Sequence, residues 1–163
     1  MSQLFVILSF LMGKLILVVD VLDNNLKFCR ESLEMTQKEL GFVFGVSHKT
    51  ISGWENSYDV IPLSKLVKFC NLYHFSVDYV VGLTRNNKNY QNKKIVLDKK
   101  IIGTKLKKLR KDLKLTQQQI ADECSISQTA YSNYELGITL ISSMALYTIC
   151  KNHNISMDSI LAN

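Results

Sequence analysis

One pattern occurs twice in this chain, 80 residues apart and without a gap. Met35-Thr36-Gln37-Lys38-Glu39-Leu40-Gly41, Val46-Ser47 and Ile51-Ser52-Gly53-Trp54-Glu55 return as Leu115-Thr116-Gln117-Gln118-Gln119-Ile120-Ala121, Ile126-Ser127 and Tyr131-Ser132-Asn133-Tyr134-Glu135. An internal repeat of this period divides 163 residues into two units near the lower size limit for independent folding. Units that small leave little chain for loops, so each must be mostly helix.

Local signals place the helices. Leu26, Cys29 and Leu33 in the first copy, and Leu106, Leu109 and Leu113 in the second, recur at helical spacing and predict helix one. Thr36-x-x-Glu39 and Thr116-x-x-Gln119 have the form of a capping box, so helix two starts there and runs to about Phe44 and Cys124. Ser47 and Ser127 cap a third helix ending near Glu55 and Glu135. The tight turn between them suits Gly45, and Gly41 and Ala121 supply small residues where the two helices cross. A fourth helix is read over Leu63 to Tyr73 and Ser143 to His153. A short fifth follows Ser76 and Ser156, with Asp78 and Asp158 in its first turn, where negative charge suits the helix dipole.

Lys14-Leu15-Ile16-Leu17 and Lys94-Ile95-Val96-Leu97 stand at the same offset in the repeat and are β-prone. A lone strand cannot satisfy its own backbone, so the expectation is that 15–17 and 95–97 pair as a small ribbon clamping the two units. The expected fold is therefore all-α: two tandem five-helix bundles, each preceded by a short strand. The boundaries are an apolar extension and strand over 1–23, a first domain over 24–84, a basic polar linker and strand over 85–103, and a second domain over 104–163. Residues 1–11 precede the repeat, as an upstream extension or through the choice between Met1 and Met12 as start. Leu4 to Leu22 is apolar, but Lys14 and Asp20 interrupt it, and no membrane span or cleaved leader is expected.

The net charge of +6 is unevenly spread. Residues 1–84 carry seven Lys/Arg against eight Asp/Glu, whereas 85–163 carry thirteen against six, mainly between Arg85 and Lys114. A basic balance fits a polyanionic partner. Cys29, Cys70, Cys124 and Cys150 form no C-x-x-C pair and have no histidine at ligand spacing, so neither a metal nor a cofactor is expected. They read as small apolar residues in a reducing compartment. With no phosphate-binding glycine loop or nucleophile-base signature, an enzyme is not expected.

The joint occurrence of these motifs resembles the helix-turn-helix family of phage Cro and lambda-type repressors, the Xre family, over Asn24 to Leu83 and Thr104 to Leu161. The first copy follows the family pattern more closely. In the second, Ser125 replaces the turn glycine and Tyr131 the β-branched residue, which predicts a strain of about 1 kcal/mol in the turn.

The resemblance implies a double-stranded DNA partner in the cytoplasm, at the nucleoid, with the third helix in the major groove. His48, Lys49 and Ser52, and Gln128, Thr129 and Asn133, are then the base-contacting residues. Gln37 and Gln117 would face phosphates, and Asn56, Ser57 and Lys65 lie around the next loop, where further phosphate contacts are expected. Arg30 with Glu55, and Arg110 with Glu135, match the family's structural ion pair between helices one and three. Trp54 and Tyr134 are expected to pack rather than stack on bases. The implied function is a transcriptional regulator, most simply a repressor acting by occlusion. The alternative is an antitoxin-like or dimerisation module in which one repeat alone contacts DNA, with a second copy of the chain as candidate partner.

Overall fold

The computed structural model of the chain describes residues 24–87 and 94–162. The described residues form helices only: α1 (Leu26–Ser32), α2 (Gln37–Phe44), α3 (His48–Glu55), α4 (Leu63–Tyr73), α5 (Val77–Val80), α6 (Lys99–Asp112), α7 (Gln117–Glu123), α8 (Gln128–Glu135), α9 (Ser143–His153) and α10 (Met157–Leu161). None of them is long and apolar enough to cross a membrane.

The helix starts follow from side-chain caps. Thr36 Oγ1 accepts from the Glu39 amide while Glu39 Oε2 accepts from the Thr36 amide at 2.7 Å, and Thr116 and Gln119 make the same exchange in front of α7. Ser47 and Ser127 cap α3 and α8 through the amides of Thr50 and Ala130. Gly45 ends α2 in the left-handed region at φ 64°. Ser125 occupies the corresponding turn at φ 53°, a conformation that costs an L-residue roughly 1–2 kcal/mol. Gly41 permits the crossing of α2 and α3, since a Cβ there would stand 2.7 Å from the Val46 carbonyl oxygen.

Leu26, Cys29, Leu40, Phe44, Ile51, Trp54, Leu66 and Phe69 are buried on the α1–α5 side, and Leu106, Ile120, Ala121, Tyr131, Leu146 and Ile149 on the α6–α10 side. All four cysteines are free thiols, and Cys124 alone is not fully buried. Burial pushes Cys29 and Cys150 up to about 12 and Cys124 to about 11, so these groups stay protonated.

Three features depart from the sequence-based expectation. No strand forms among the described residues, and Ile95 to Leu97 pairs with none of them as a ribbon. The Ile95 amide donates to Asn71 Oδ1 at 2.9 Å, and Asn71 Nδ2 donates to the Ile95 carbonyl at 2.8 Å. One side-chain amide on α4 thus satisfies both backbone groups of Ile95. The partner segment, Leu15 to Leu17, lies outside the described residues.

The second departure is that α6 begins at Lys99, capped by Asp98, so the segment read as linker up to residue 103 contains its first turn. Much of the basic excess is therefore on a helix surface: Lys99, Lys100, Lys107, Lys108, Lys111 and Lys114 are exposed along α6 and just after it.

The third departure concerns Asp78 and Asp158, which cap each other's helix. Asp158 Oδ1 and Oδ2 accept from the amides of Val77 and Asp78, both at 3.0 Å. Asp78 Oδ1 accepts from the Met157 amide at 2.6 Å, and its Oδ2 from the Ser156 hydroxyl at 2.5 Å. The exchange is reciprocal between equivalent positions of the two copies. Burial lifts the Asp158 carboxyl above the usual carboxylate range, and the neighbouring Asp78 adds to the rise, while the two backbone donors oppose it. Nearby, Ser143 Oγ donates to the Ile61 carbonyl at 2.5 Å, which ties the start of α9 to the chain leading into α4.

Candidate nucleic-acid interface

Each third helix has one face in the core and one in solvent. On α3, Ile51, Trp54 and Glu55 are buried, His48 and Lys49 are exposed, and Ser52 is half-buried. On α8, Tyr131 and Glu135 are buried, Gln128 and Thr129 are exposed, and Asn133 is half-buried. Positions 49, 52, 53 and 56 share one helical face, as do 129, 132, 133 and 136.

A buried carboxylate holds each of these helices in place. Arg30 Nε donates to Glu55 Oε1 at 2.6 Å and its Nη2 to Oε2 at 3.1 Å, while Nη1 donates to the Met35 carbonyl at 2.6 Å. Gln37 Nε2 donates to the same Glu55 Oε2 at 2.8 Å. The second copy repeats this: Arg110 Nε to Glu135 Oε1 at 2.6 Å, Nη2 to Oε2 at 3.0 Å, Nη1 to the Leu115 carbonyl at 3.0 Å, and Gln117 Nε2 to Oε2 at 2.8 Å. The forked guanidinium matches the carboxylate in two parallel bonds, and the glutamine joins the second helix to the third. Gln37 and Gln117 are thus positioned by the ion pair, and each amide nitrogen keeps a second hydrogen to give.

Burial by itself would raise the Glu135 carboxyl, but the Arg110 guanidinium and the Gln117 amide hold it below the usual glutamate range. A carboxyl with a lowered folded pKa contributes stability that is present above its unfolded value and is lost as pH falls through the folded one. The melting temperature should therefore drop as pH falls below about 4.5, the ordinary glutamate value. Glu135→Gln, measured by thermal melts across that range, should be less stable at neutral pH and show a flatter acid limb. An acid limb as steep as that of the unaltered chain would place the responsible carboxyl elsewhere.

Of the remaining positions named from the sequence, Asn56 and Ser57 lie in the turn after α3 and Lys65 lies on α4. Asn56 Nδ2 donates to the Ser52 carbonyl at 2.8 Å and to the Ser52 hydroxyl at 3.2 Å, so these two side chains are tied together. Ser57 sits at φ 57°, and its hydroxyl accepts from Asn24 Nδ2. Lys65 Nζ donates to the Phe44 carbonyl at 2.7 Å, at the end of α2, which leaves two ammonium hydrogens for another acceptor.

Trp54 packs against Phe44 at 6.4 Å between ring centroids, and Tyr134 lies partly buried against the core. Sequence reasoning did not single out Tyr58, which is 85% exposed in the same turn. An aromatic residue in a polar turn was the available signal. The second copy has Leu136 and Ile138 where the first has Asn56 and Tyr58, and both are exposed.

Comparison with known proteins gives two family matches. Residues 26–80 match a family described as "Helix-turn-helix", and residues 103–163 match one described as "Helix-turn-helix domain". Among curated proteins of Bacillus subtilis (strain 168), the uncharacterized HTH-type transcriptional regulator YobD is 34% identical over 61 residues, 37% of this chain and 54% of that protein. The uncharacterized HTH-type transcriptional regulator YqaE is 43% identical over 56 residues, 34% of this chain and 48% of that protein. The HTH-type transcriptional regulator ImmR is 33% identical over 61 residues, 37% of this chain and 48% of that protein. The chain spans about half the length of the curated relatives it matches. No solved structure matches it. A turn between two capped helices thus stands in each half of the chain, and each half is similar to a helix-turn-helix family.

Proposed function

We propose that this chain is a sequence-specific double-stranded DNA-binding regulator of transcription, a repressor that acts by occlusion, built of two tandem units whose third helices each enter a major groove. The observation that carries this reading is the Arg-Glu-Gln arrangement under α3 and again under α8, which fixes two solvent-facing helices whose outward side chains are His48, Lys49 and Ser52, and Gln128, Thr129 and Asn133. Lys donates to guanine O6 and N7, Gln and Asn pair with adenine, and the Thr methyl meets the thymine methyl. Around them Gln37, Gln117, Asn56, Ser57 and Lys65 supply the phosphate contacts, which set position rather than sequence. The names of the regulators that match about a third of this chain support the same class of function.

The reciprocal carboxylate caps supply the second element of the proposal. When the residues around position 78 contact those around 158, and the reverse, the contact is isologous and implies a local two-fold relation. A single chain then does what a symmetric dimer does, presenting two recognition helices to an inverted pair of half-sites about one helical turn apart. Because α3 and α8 carry different outward residues, the half-sites differ in sequence.

His48→Ala with Lys49→Ala should weaken specific binding by about 1–3 kcal/mol for each good base interaction removed, with the melting temperature unchanged because both residues are exposed. Gln128→Ala with Asn133→Ala is the matching test of α8. Wild-type affinity in the first pair of substitutions would remove α3 from the interface.

A second reading is favoured by Leu136 and Ile138, exposed apolar residues at the edge of α8, a helix with no basic side chain. In it the second unit is an antitoxin-like or dimerisation surface and α3 alone binds DNA. Titration against salt separates the two. Phosphate neutralisation by both units gives a steep fall of log K with log salt. Weakened binding under His48→Ala with Lys49→Ala, and none under Gln128→Ala with Asn133→Ala, favours the second reading.

A further inference from the structure

Gly53 stands on the same helical face as Lys49 and Ser52, yet it is buried. The turn that follows α3 covers it. The amides of Tyr58 and Asp59 both donate to the Gly53 carbonyl, at 2.9 and 3.2 Å, which folds Asp59 back over the helix. A Cβ built on Gly53 would meet Asp59 Oδ2 at 2.8 Å and the Asp59 Cβ and Cγ at 3.6 Å. Asp59 itself remains exposed.

The second copy has the same backbone turn, with the amides of Ile138 and Thr139 donating to the Asn133 carbonyl at 2.9 and 3.4 Å. There the helix carries the side chain, Asn133, and the turn carries the short Thr139. The two copies thus exchange a helix residue for a turn residue at one place on the outward face.

We infer that Asp59 supplies the base-reading group that Gly53 lacks, a carboxylate held on the groove-facing side of α3 that selects cytosine at its position in the half-site. This inference rests on the DNA-reading role proposed above. A carboxylate can only accept, and among phosphates it is repelled, so a productive partner must be an exocyclic amino group in the major groove. Cytosine N4 is the matching donor; adenine N6 stands beside the N7 acceptor, which repels a second carboxylate oxygen, and guanine and thymine present acceptors there, so these three bases are disfavoured. Asn133, an amide that both donates and accepts, suits adenine at the equivalent position of the other half-site. The difference between the half-sites therefore comes from a turn residue as well as from the helix.

The test is selection of duplexes from a random pool by the full chain in four forms: unaltered, Asp59→Asn, Gly53→Asn with Asp59→Thr, and Lys49→Ala. The unaltered chain should select cytosine over guanine at one position by about tenfold, the scale of a single good base contact. Asp59→Asn should erase that preference and move it toward adenine. Gly53→Asn with Asp59→Thr should import the base of the second half-site there, with flanking positions unchanged. Asp59→Asn is close to isosteric at an exposed site, so a melting curve like that of the unaltered chain is expected and checks the fold.

If Asp59→Asn changes affinity equally for all sequences, Asp59 is a turn-packing or repulsive group and the assignment is overturned. Lys49→Ala separates the two levels of the reading. A motif that moves with Lys49→Ala but not with Asp59→Asn sinks the Asp59 assignment and leaves α3 as the reader. A wild-type chain that selects no motif overturns both.

Discussion

Glu55→Ala should destabilise the chain by about 3–5 kcal/mol, the usual loss when one member of a buried ion pair is removed and the other is stranded. The Glu55 side chain is fully buried, and that of Arg30 is 8% exposed. With Glu55 gone, Nε and Nη2 of Arg30 lose both carboxylate partners, the Met35 carbonyl remains on Nη1, and Gln37 loses its acceptor. For a unit of this size the loss corresponds to a fall in melting temperature on the order of 12 °C or more. Glu39→Ala is the control: Glu39 is an exposed member of the α2 capping box, and its removal should have a small effect. Similar, small shifts in calorimetry for the two variants would show that the ion pair does not hold α3. Because α3 hangs on Glu55, Glu55→Ala should also weaken DNA binding beyond what His48→Ala achieves.

Gly103→Val should be nearly as damaging, with a loss of about 3 kcal/mol, at the upper end of overpacking effects. Gly103 lies inside α6 where it crosses the end of α8, and a Cβ there would stand 2.4 Å from the Tyr134 carbonyl oxygen and 2.8 Å from that of Glu135. Both obstacles are backbone, so relief requires the two helices to separate. That motion would also disturb Arg110 and Glu135, the pair joining the same two helices. Thermal melts should show the loss, and duplex selection should show the second half-site degraded while the first persists. A stable Gly103→Val chain with both half-sites intact would mean that α6 and α8 do not approach as described.

The starts of α2, α3, α7 and α8 were legible from sequence because their determinants are local. A threonine and the glutamate or glutamine three residues on, or a serine before a helix, complete their hydrogen bonds within one turn. What joins the copies was not legible, since it depends on residues about 80 positions apart. Asp78 and Asp158 look from sequence like dipole-matched residues of their own helices, and only the packed fold reveals the exchange. Ile95 looked like a strand because its β-prone run recurs, whereas the Asn71 amide that satisfies it belongs to no pattern. Gly103 fell within the segment read as linker, and the reason for a glycine there, the Tyr134 carbonyl, is distant in sequence.

The same division holds for the candidate site. The outward residues of α3 and α8 were implied by the resemblance to the helix-turn-helix pattern, whereas Asp59 over Gly53 requires the turn to be folded back. Likewise, the commitment of Gln37 to Glu55 could not be read from spacing alone.

If one chain reads two unlike half-sites through α3 and α8, titration of the intact chain into its selected duplex should show it, with the stoichiometry read by native mass and the protected bases by hydroxyl-radical footprinting. The expected result is one chain per duplex and two protected, inverted half-sites about one helical turn apart. Protection of one half-site should disappear in His48→Ala with Lys49→Ala, and of the other in Gln128→Ala with Asn133→Ala. Two chains per duplex, each protecting a single half-site and each indifferent to Gln128→Ala with Asn133→Ala, would contradict a two-helix reader.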